Sequence, residues 1–246
     1  MRLKVMFAYL LVSLAFISCK KIASDTNTTE SNKTPQTEHR VVDVRGIDVS
    51  HFQGTIPWDT LAKQIQFAFC KATEGETYVD PSFQENWSQI KTAGLFRGAY
   101  HFYRSGDDPK AQATFFLQTL GTLASNDLPL VLDIESESLS QPTSHATLQQ
   151  DLLLFLEVLE TQTGKKPILY TNPSFANQYL TDTRFGNYPL WIASYQKNSP
   201  IVPDVWSNAS WYFWQKTDHY TADNELVDFD LFKGDIQALT AFMEKN

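Results

Sequence analysis

The sequence predicts an α/β fold, a β/α barrel that lacks helices after its fifth strand. Three observations in the 246 residues support this prediction. Short apolar, β-branched or aromatic runs occur eight times, helical patterns separate the first five runs, and residues 196–210 then contain two prolines and no helical period. Strands that alternate with helices form a parallel barrel or an open doubly wound sheet. The open sheet is the rival, but the glycine-rich phosphate turn typical of it is missing, because the sequence has neither G-x-G-x-x-G nor a P-loop.

The predicted strands combine strand-forming residues with turn residues at their ends. In chain order they are 45–50, 67–74, 96–103, 128–135, 166–172, 189–195, 211–215 and 226–232. The predicted helices show apolar residues at helical spacing, and the fourth opens at Thr143 or Ser144 and closes at Gly164. They are 58–66, 82–93, 108–122, 144–162 and a shorter helix that begins near Pro173.

The amino terminus predicts a targeting segment followed by a tether. Residues 1–18 have a basic start and an apolar run of signal-peptide length, although an uncleaved anchor is the alternative. The last positions, Phe16 to Cys19, resemble the lipobox of bacterial lipoproteins, which implies lipidation of Cys19. Residues 19–44 are polar and without apolar period, so we expect a flexible linker to the domain formed by 45–246. We therefore expect a protein of the cell envelope, lipid-anchored to a bacterial membrane at the outer membrane or periplasmic face.

Composition excludes several classes of protein. The chain is 42% hydrophobic and 20% charged, which is typical of a globular protein. Its net charge of −8 repels the phosphate backbone of nucleic acids. Its two cysteines, Cys19 and Cys70, fall in different contexts and cannot form a disulfide framework. No histidine pair with metal-binding spacing and no nucleophile elbow is present. We expect a monomer without metal or cofactor.

Acidic residues follow apolar runs in several of the predicted strands. Asp133 and Glu135 are two residues apart, so they lie on one face of their strand. Closing the barrel makes the first and last strands neighbours, which brings Asp48 beside Asp228. Carboxyl groups at the carboxyl ends of barrel strands, with one raised pKa, suit glycoside hydrolysis. The alternative is that these strands have already ended and the acids are solvated.

Candidate substrate-binding residues lie at or near the predicted strand ends. Sugar faces stack on aromatic rings, and sugar hydroxyls need fixed polar partners. The candidates are Tyr78, Tyr103, Tyr170, Trp191 and Gln215. The alternative for Trp191 is core packing, because large aromatic residues also dominate protein cores.

Eight motifs in order resemble the glycoside hydrolase family 25 muramidases, also called Chalaropsis-type lysozymes. They are GIDVSHFQGTIPWDTL, FAFCKATEGETYVDPSFQENW, GLFRGAYHFYR, LVLDIE, ILYTN, LWIASY, FWQ and VDFDLFKG. The resemblance covers about residues 45–246. It implies a flattened, TIM-like β/α barrel with helices missing after the fifth strand. It also implies cleavage of the β-1,4 bond between N-acetylmuramic acid and N-acetylglucosamine in peptidoglycan.

The same resemblance places the family's catalytic glutamate on Glu135 and its accompanying aspartates on Asp48, Asp133 and Asp228. We expect Glu135 to act as general acid and an ionised Asp133 to stabilise a substrate-assisted intermediate. The closing motif commonly reads VD-x-N, whereas this chain has Asp230 at the last position. An ionised aspartate lacks the amide N–H of asparagine, so the resemblance does not supply a hydrogen-bond donor at this position. The alternative function is a glycan-binding cell-wall adhesion module without turnover.

Overall fold

The computed structural model describes residues 43–222 and 225–246. The predictions for the signal peptide, for Cys19 and for the linker up to residue 42 therefore lie outside the described residues. No helix among the described residues is long and apolar enough to cross a membrane.

The strands close into a ring. They are β1 (Val44–Val49), β2 (Phe67–Glu74), β3 (Tyr78–Val79), β4 (Phe96–Phe102), β5 (Val131–Asp133), β6 (Ile168–Thr171), β7 (Leu190–Ala193), β8 (Phe213–Ala222) and β9 (Glu225–Phe232). Eight of them pair in the order β1-β9-β8-β7-β6-β5-β4-β2, and β2 pairs with β1 again. The short β3 only adds a hairpin to the end of β2. The predicted β/α barrel is confirmed.

The direction of the last strand differs from the prediction of a parallel barrel. Among the eight strands of the ring, β1, β2 and β4 to β8 run parallel to one another, whereas β9 runs antiparallel to both of its neighbours, β8 and β1. β8 and β9 follow each other through a short connection, and a short connection between adjacent strands forces the antiparallel direction. The start of β9 therefore lies at the same end of the barrel as the carboxyl ends of the other strands.

Helices connect the early strands, as predicted. They are α1 (Trp58–Leu61), α2 (Phe83–Thr92), α3 (Pro109–Leu120), α4 (His145–Thr163), α5 (Pro173–Tyr179) and α6 (Ile236–Lys245). α4 begins where Ser144 accepts the backbone N–H of Thr147 and ends at Gly164, whose φ of 67° only glycine adopts at low cost. Between β7 and β8 the described chain has no α-helix and only a short 3-10 helix, Asp204–Trp206, so the predicted loss of helices is confirmed.

Helix α6 was not predicted. Asp235 caps it by accepting the N–H of Ala238, and its apolar face packs Phe242 against Phe213 and Phe232 of the barrel interior. The backbone carbonyl of Asn246, directly after α6, accepts the N–H of Lys166 just before β6, so α6 covers the amino ends of the strands.

The barrel interior is filled by aromatic rings at the end closed by α6. Phe67, Phe69 and Phe213 contact one another edge to face. Two glycines make room for them, because a Cβ on Gly46 would lie 2.2 Å from the ring of Phe67 and one on Gly98 would lie 2.3 Å from the ring of Phe69. This packing fills the barrel at the end that α6 covers, and the parallel strands finish at the opposite end.

Candidate active site

A pocket of about 200 Å³ lies at the carboxyl ends of the parallel strands. Its lining is rich in acidic and aromatic side chains and consists of Asp48, Ser50, Phe52, Gln53, Lys71, Tyr100, Phe102, Asp133, Glu135, Tyr170, Trp191, Gln215 and Asp228. Seven of the nine residues predicted for catalysis or binding are therefore brought together here. This end of a barrel is where enzymes of this architecture place their chemistry.

The four predicted carboxyl groups reach the pocket from three places in the ring. Asp48 is the last residue but one of β1, and Asp133 ends β5 with Glu135 two residues further. Asp228 was predicted at the carboxyl end of a parallel strand, but it lies in the first half of the antiparallel β9. It reaches the same pocket because β9 is reversed, and it is the direct register partner of Asp48.

A hydrogen-bond network anchors Asp48 to β8 and β6. Gln215 donates from Nε2 to Asp48 Oδ2 at 2.8 Å. Its Oε1 accepts the hydroxyl hydrogens of Tyr170 and Tyr195, each at 3.0 Å. The amide of Gln215 is thereby fixed in orientation, with its donor toward the carboxyl and its acceptor toward two phenols.

Trp191 lines the pocket but is only 2% exposed. Its ring stacks on Phe69 with centroids 4.4 Å apart and meets Tyr170 edge to face at 4.7 Å. Its indole N–H donates to Oδ1 of Asp230 at 2.8 Å. The ring is thus part of the barrel core and of the pocket floor at once.

Tyr103, predicted as a substrate-binding residue, lies outside the pocket that the structure shows. It is 1% exposed and packs edge to face on Phe155 of α4. Side chains alternate along a strand, and Tyr100 and Phe102 of β4 point into the pocket. Tyr103 therefore faces the helices outside the barrel.

Tyr78 lies beside the pocket and outside its lining. It is 39% exposed on β3, with its ring centroid 5.6 Å from Nζ of the pocket residue Lys71. Its hydroxyl lies 3.4 Å from Nδ1 of His51.

Several pocket residues were not among the predicted ones. Strict alternation along β4 would have found Tyr100 and Phe102. The loop Ser50–Gln53 forms another wall, and it is held by Asp80, which accepts the backbone N–H of His51 and lies 2.7 Å from its Nδ1. That contact joins residues far apart in the chain, so no local pattern indicates it.

The sequence profile of the glycosyl hydrolases family 25 matches residues 47–224. The chain belongs to this family. It is therefore a glycoside hydrolase. The family 25 match begins inside β1 and ends after β8, so it contains Asp48, Asp133 and Glu135 but not Asp228 on β9.

Individual relatives agree with the family 25 assignment. The chain is 38% identical over 209 residues to the uncharacterized protein YegX of Escherichia coli K12, covering 82% of this chain and 74% of that protein. It is 33% identical over 214 residues to Lysozyme M1 of Streptomyces globisporus, covering 80% and 70% of the two chains. The crystal structure of a bacterial lysozyme from Streptomyces coelicolor superposes with a TM-score of 0.76 at 31% identity, covering 83% of this chain and 98% of that one.

In this family 25 hydrolase the pocket raises the pKa of its carboxyl groups. Burial, followed by the negative charge of Glu137, raises the pKa of Glu135 to about 7. Burial raises the pKa of Asp228 to about 6. The charged form of a carboxyl loses hydration in such a pocket, so each group holds its proton to higher pH.

The pKa of Asp133 is also raised, by burial and by the charge of Glu135. Lys71 lowers it, but Lys71 is already paired with Glu74 at 2.6 Å. The expectation that Asp133 stays ionised therefore does not follow from the pocket alone.

No group of three or more His, Cys, Asp or Glu side chains arranged to hold a metal ion occurs among residues 43–222 and 225–246.

Proposed function

We propose that this family 25 hydrolase is a muramidase, which cleaves the β-1,4 bond between N-acetylmuramic acid and N-acetylglucosamine in peptidoglycan. The observation that carries the proposal is the convergence of Asp48, Asp133, Glu135 and Asp228 on one pocket. Its relatives include lysozymes, and the mixture of carboxyl groups and aromatic rings suits a sugar with a leaving oxygen to protonate.

Glu135 acts as the general acid. A donor is most effective when its pKa lies near the working pH, and the pKa of Glu135 is about 7. It is also only partly buried, so its proton faces a substrate in the pocket. It donates to the glycosidic oxygen as the bond to the sugar breaks.

Asp133 stabilises a substrate-assisted intermediate. The 2-acetamido group of the substrate attacks the anomeric carbon and forms a positively charged oxazolinium-like ring, the exception to the two-carboxylate scheme. Asp133 has released its proton to solvent before the attack, and the resulting carboxylate and the positive charge of the ring stabilise each other. Asp48 and Asp228 tune charge and orientation around the pair.

Substrate holding falls to Tyr170, Trp191 and Gln215, with Tyr78 beside the pocket. The acidic chain provides no general electrostatic attraction to a glycan strand. Affinity therefore depends on ring faces against the sugar and on the fixed amide of Gln215.

The test is a zymogram on embedded peptidoglycan with the wild type, Glu135→Gln and Glu157→Gln. The first variant keeps the shape of the acid but has no proton to donate, so we expect turnover to fall by roughly 10²–10⁴. Glu157 is exposed on α4 and serves as the matched control, with clearing as in the wild type. Near-normal clearing by Glu135→Gln would refute the assignment of Glu135 as the general acid. Binding of peptidoglycan without clearing by the wild type would favour an adhesion module, and a sugar trapped covalently on Asp133 would refute the substrate-assisted step.

We also propose that the protein works as a lipid-anchored monomer in the cell envelope. Cleavage before Cys19 and lipidation of its thiol would hold the chain on a bacterial membrane, because several acyl chains at about 0.8 kcal/mol per buried CH₂ bind essentially permanently. Residues 19–44 would then tether the catalytic domain within reach of the glycan strands.

A further inference from the structure

Asp230 is a fully buried carboxyl group directly behind the pocket. It is 0% exposed, and its Oδ1 accepts the indole N–H of Trp191 at 2.8 Å. Its Oδ2 has no N–H or hydroxyl donor among the described residues. A buried carboxylate oxygen without a hydrogen-bond donor is costly, so the missing donor of Oδ2 needs an explanation.

The carboxyl group of Asp48 lies beside that of Asp230. β1 and β9 are antiparallel partners, with Gly46 opposite Asp230, and the side chains of Asp48 and Asp230 lie within hydrogen-bonding contact. Two carboxyl groups form a hydrogen bond only if one of them carries a proton. Oδ2 of Asp48 already accepts from Gln215, which leaves the other oxygen of Asp48 to take part in a hydrogen bond that shares a proton.

We propose that Asp230 is a positioning residue of the glycosidase site, which holds Asp48 as a neutral, hydrogen-donating acid and fixes the Trp191 ring in the pocket floor. Its effect on turnover rests on the proposed muramidase function, whereas the shared proton does not. Asp48 is then uncharged, and Asp230, outside the pocket lining, is the acceptor of its hydrogen bond. The direction of the pKa of Asp48 agrees, since burial and the charges of Asp228 and Asp230 raise it.

Other charged or titratable groups also face Asp48 and contribute to its protonation. They line the same pocket from neighbouring strands and are Lys71 on β2, Tyr100 on β4, Asp133 and Glu135 at β5, Tyr170 on β6 and Asp228 on β9. Lys71 is the one cation among these lining residues. It is paired with Glu74, so it does not neutralise Asp48.

Infrared difference spectroscopy at neutral pH tests the shared proton without any substrate. The C=O stretching band of the protonated Asp48 is identified as the band that the wild type shows and Asp48→Asn lacks. The same band should be lost in Asp230→Asn, because the amide at position 230 still accepts from Trp191 but donates to Asp48 and favours its ionised form. Asp59→Asn makes the same change at an exposed site and should retain the band.

The pH dependence of kcat/KM gives the second readout. In Asp230→Asn the new charge on Asp48 should raise the pKa of Glu135, which moves the alkaline limb upward by roughly half to one pH unit. Retention of the Asp48 band in Asp230→Asn overturns the proposal, and so does a wild type without such a band or an unmoved alkaline limb. If Asp230→Asn loses the band but the wild type does not hydrolyse peptidoglycan, the shared proton is supported and the proposed muramidase function is rejected.

Discussion

The pKa of Glu135 sets the pH range in which the hydrolase has its proton donor. The pKa is raised to about 7, so the protonated form predominates below that pH and is lost as the pH rises through it. We expect kcat/KM to fall tenfold per pH unit above about 7. The measurement is a pH profile of peptidoglycan hydrolysis, and activity that stays constant to pH 9 would contradict the assignment of Glu135.

A neighbouring glutamate makes this pH dependence testable. The charge of Glu137 raises the pKa of Glu135, although Glu137 itself is exposed. Glu137→Gln should therefore move the alkaline limb to lower pH, by roughly a few tenths of a unit because solvent screens an exposed charge. Glu157→Gln removes the same charge from α4 and should leave the limb in place. Equal profiles for the two variants would show that the charge at 137 does not reach Glu135.

Tyr170 and Tyr195 donate hydrogen bonds to the same oxygen of Gln215, but only Tyr170 is buried. Variants of the two tyrosines therefore compare the loss of the same hydrogen bond from a buried and from an exposed side chain. Tyr170→Phe removes a buried donor at 3.0 Å, and Tyr195→Phe removes a donor at the same distance from a side chain that is 54% exposed. We expect the first to lower the free energy of unfolding by about 1 kcal/mol and to reduce turnover, because Gln215 then turns more freely beside Asp48. The second should change both less. Thermal melts and hydrolysis rates compare them, and a larger effect of Tyr195→Phe would contradict this account.

At the scale of elements, local patterns predicted the strands and most helices but not how some of them are used. Short apolar, β-branched or aromatic runs marked β1 to β9 except the short β3, and period-two alternation placed Asp133 and Glu135 on one face, where both line the pocket. The same rule, applied from Phe102 instead of from the end of the run, would have turned Tyr103 toward the helices. The direction of β9 could not be read locally, because an antiparallel and a parallel strand have the same apolar pattern when both faces are buried.

The missed helix α6 has a different cause. Its residues 236–245 follow the last strand, where a barrel needs no further crossover connection, so nothing in the expected architecture called for a helix. Its apolar side chains, Leu239, Phe242 and Met243, nevertheless form a helical stripe that the barrel end has to cover. The contact of Asp80 with the Ser50–Gln53 loop was missed for a related reason, since it depends on the tertiary fold alone.

The glycines that admit aromatic rings into the barrel give a prediction for strand packing. Gly98→Ala puts a Cβ about 2.3 Å from the ring of Phe69, so the ring or β4 has to move. We expect a loss of about 1–3 kcal/mol in the free energy of unfolding, measured by urea denaturation. Combining Gly98→Ala with Phe69→Leu should restore part of that loss, because the smaller side chain frees the space. Strictly additive losses would show that the contact is not the cause.

At the scale of the whole chain, the two cysteines make a matched pair for the proposed anchor. Cys19→Ala should release the protein from the membrane fraction or stall its processing, because alanine has no thiol to acylate. Cys70→Ala changes a buried thiol of the barrel and should leave the fractionation unchanged. Immunoblots of membrane and soluble fractions compare the two. Mature, membrane-bound Cys19→Ala protein would refute lipid anchoring.

The seam between β1 and β9 also has a consequence for the order of folding. The first strand of the barrel pairs with its last one, across nearly the whole length of the domain, and contacts that distant are the slow ones to form. A chain that emerges with its amino terminus first can assemble β1 to β8 but cannot seal the ring until residues 225–232 have arrived. Asp48, Asp228 and Asp230 meet on that seam, so these three acids come together only when β9 pairs with β1. A complete pocket therefore has to wait for the ring to close.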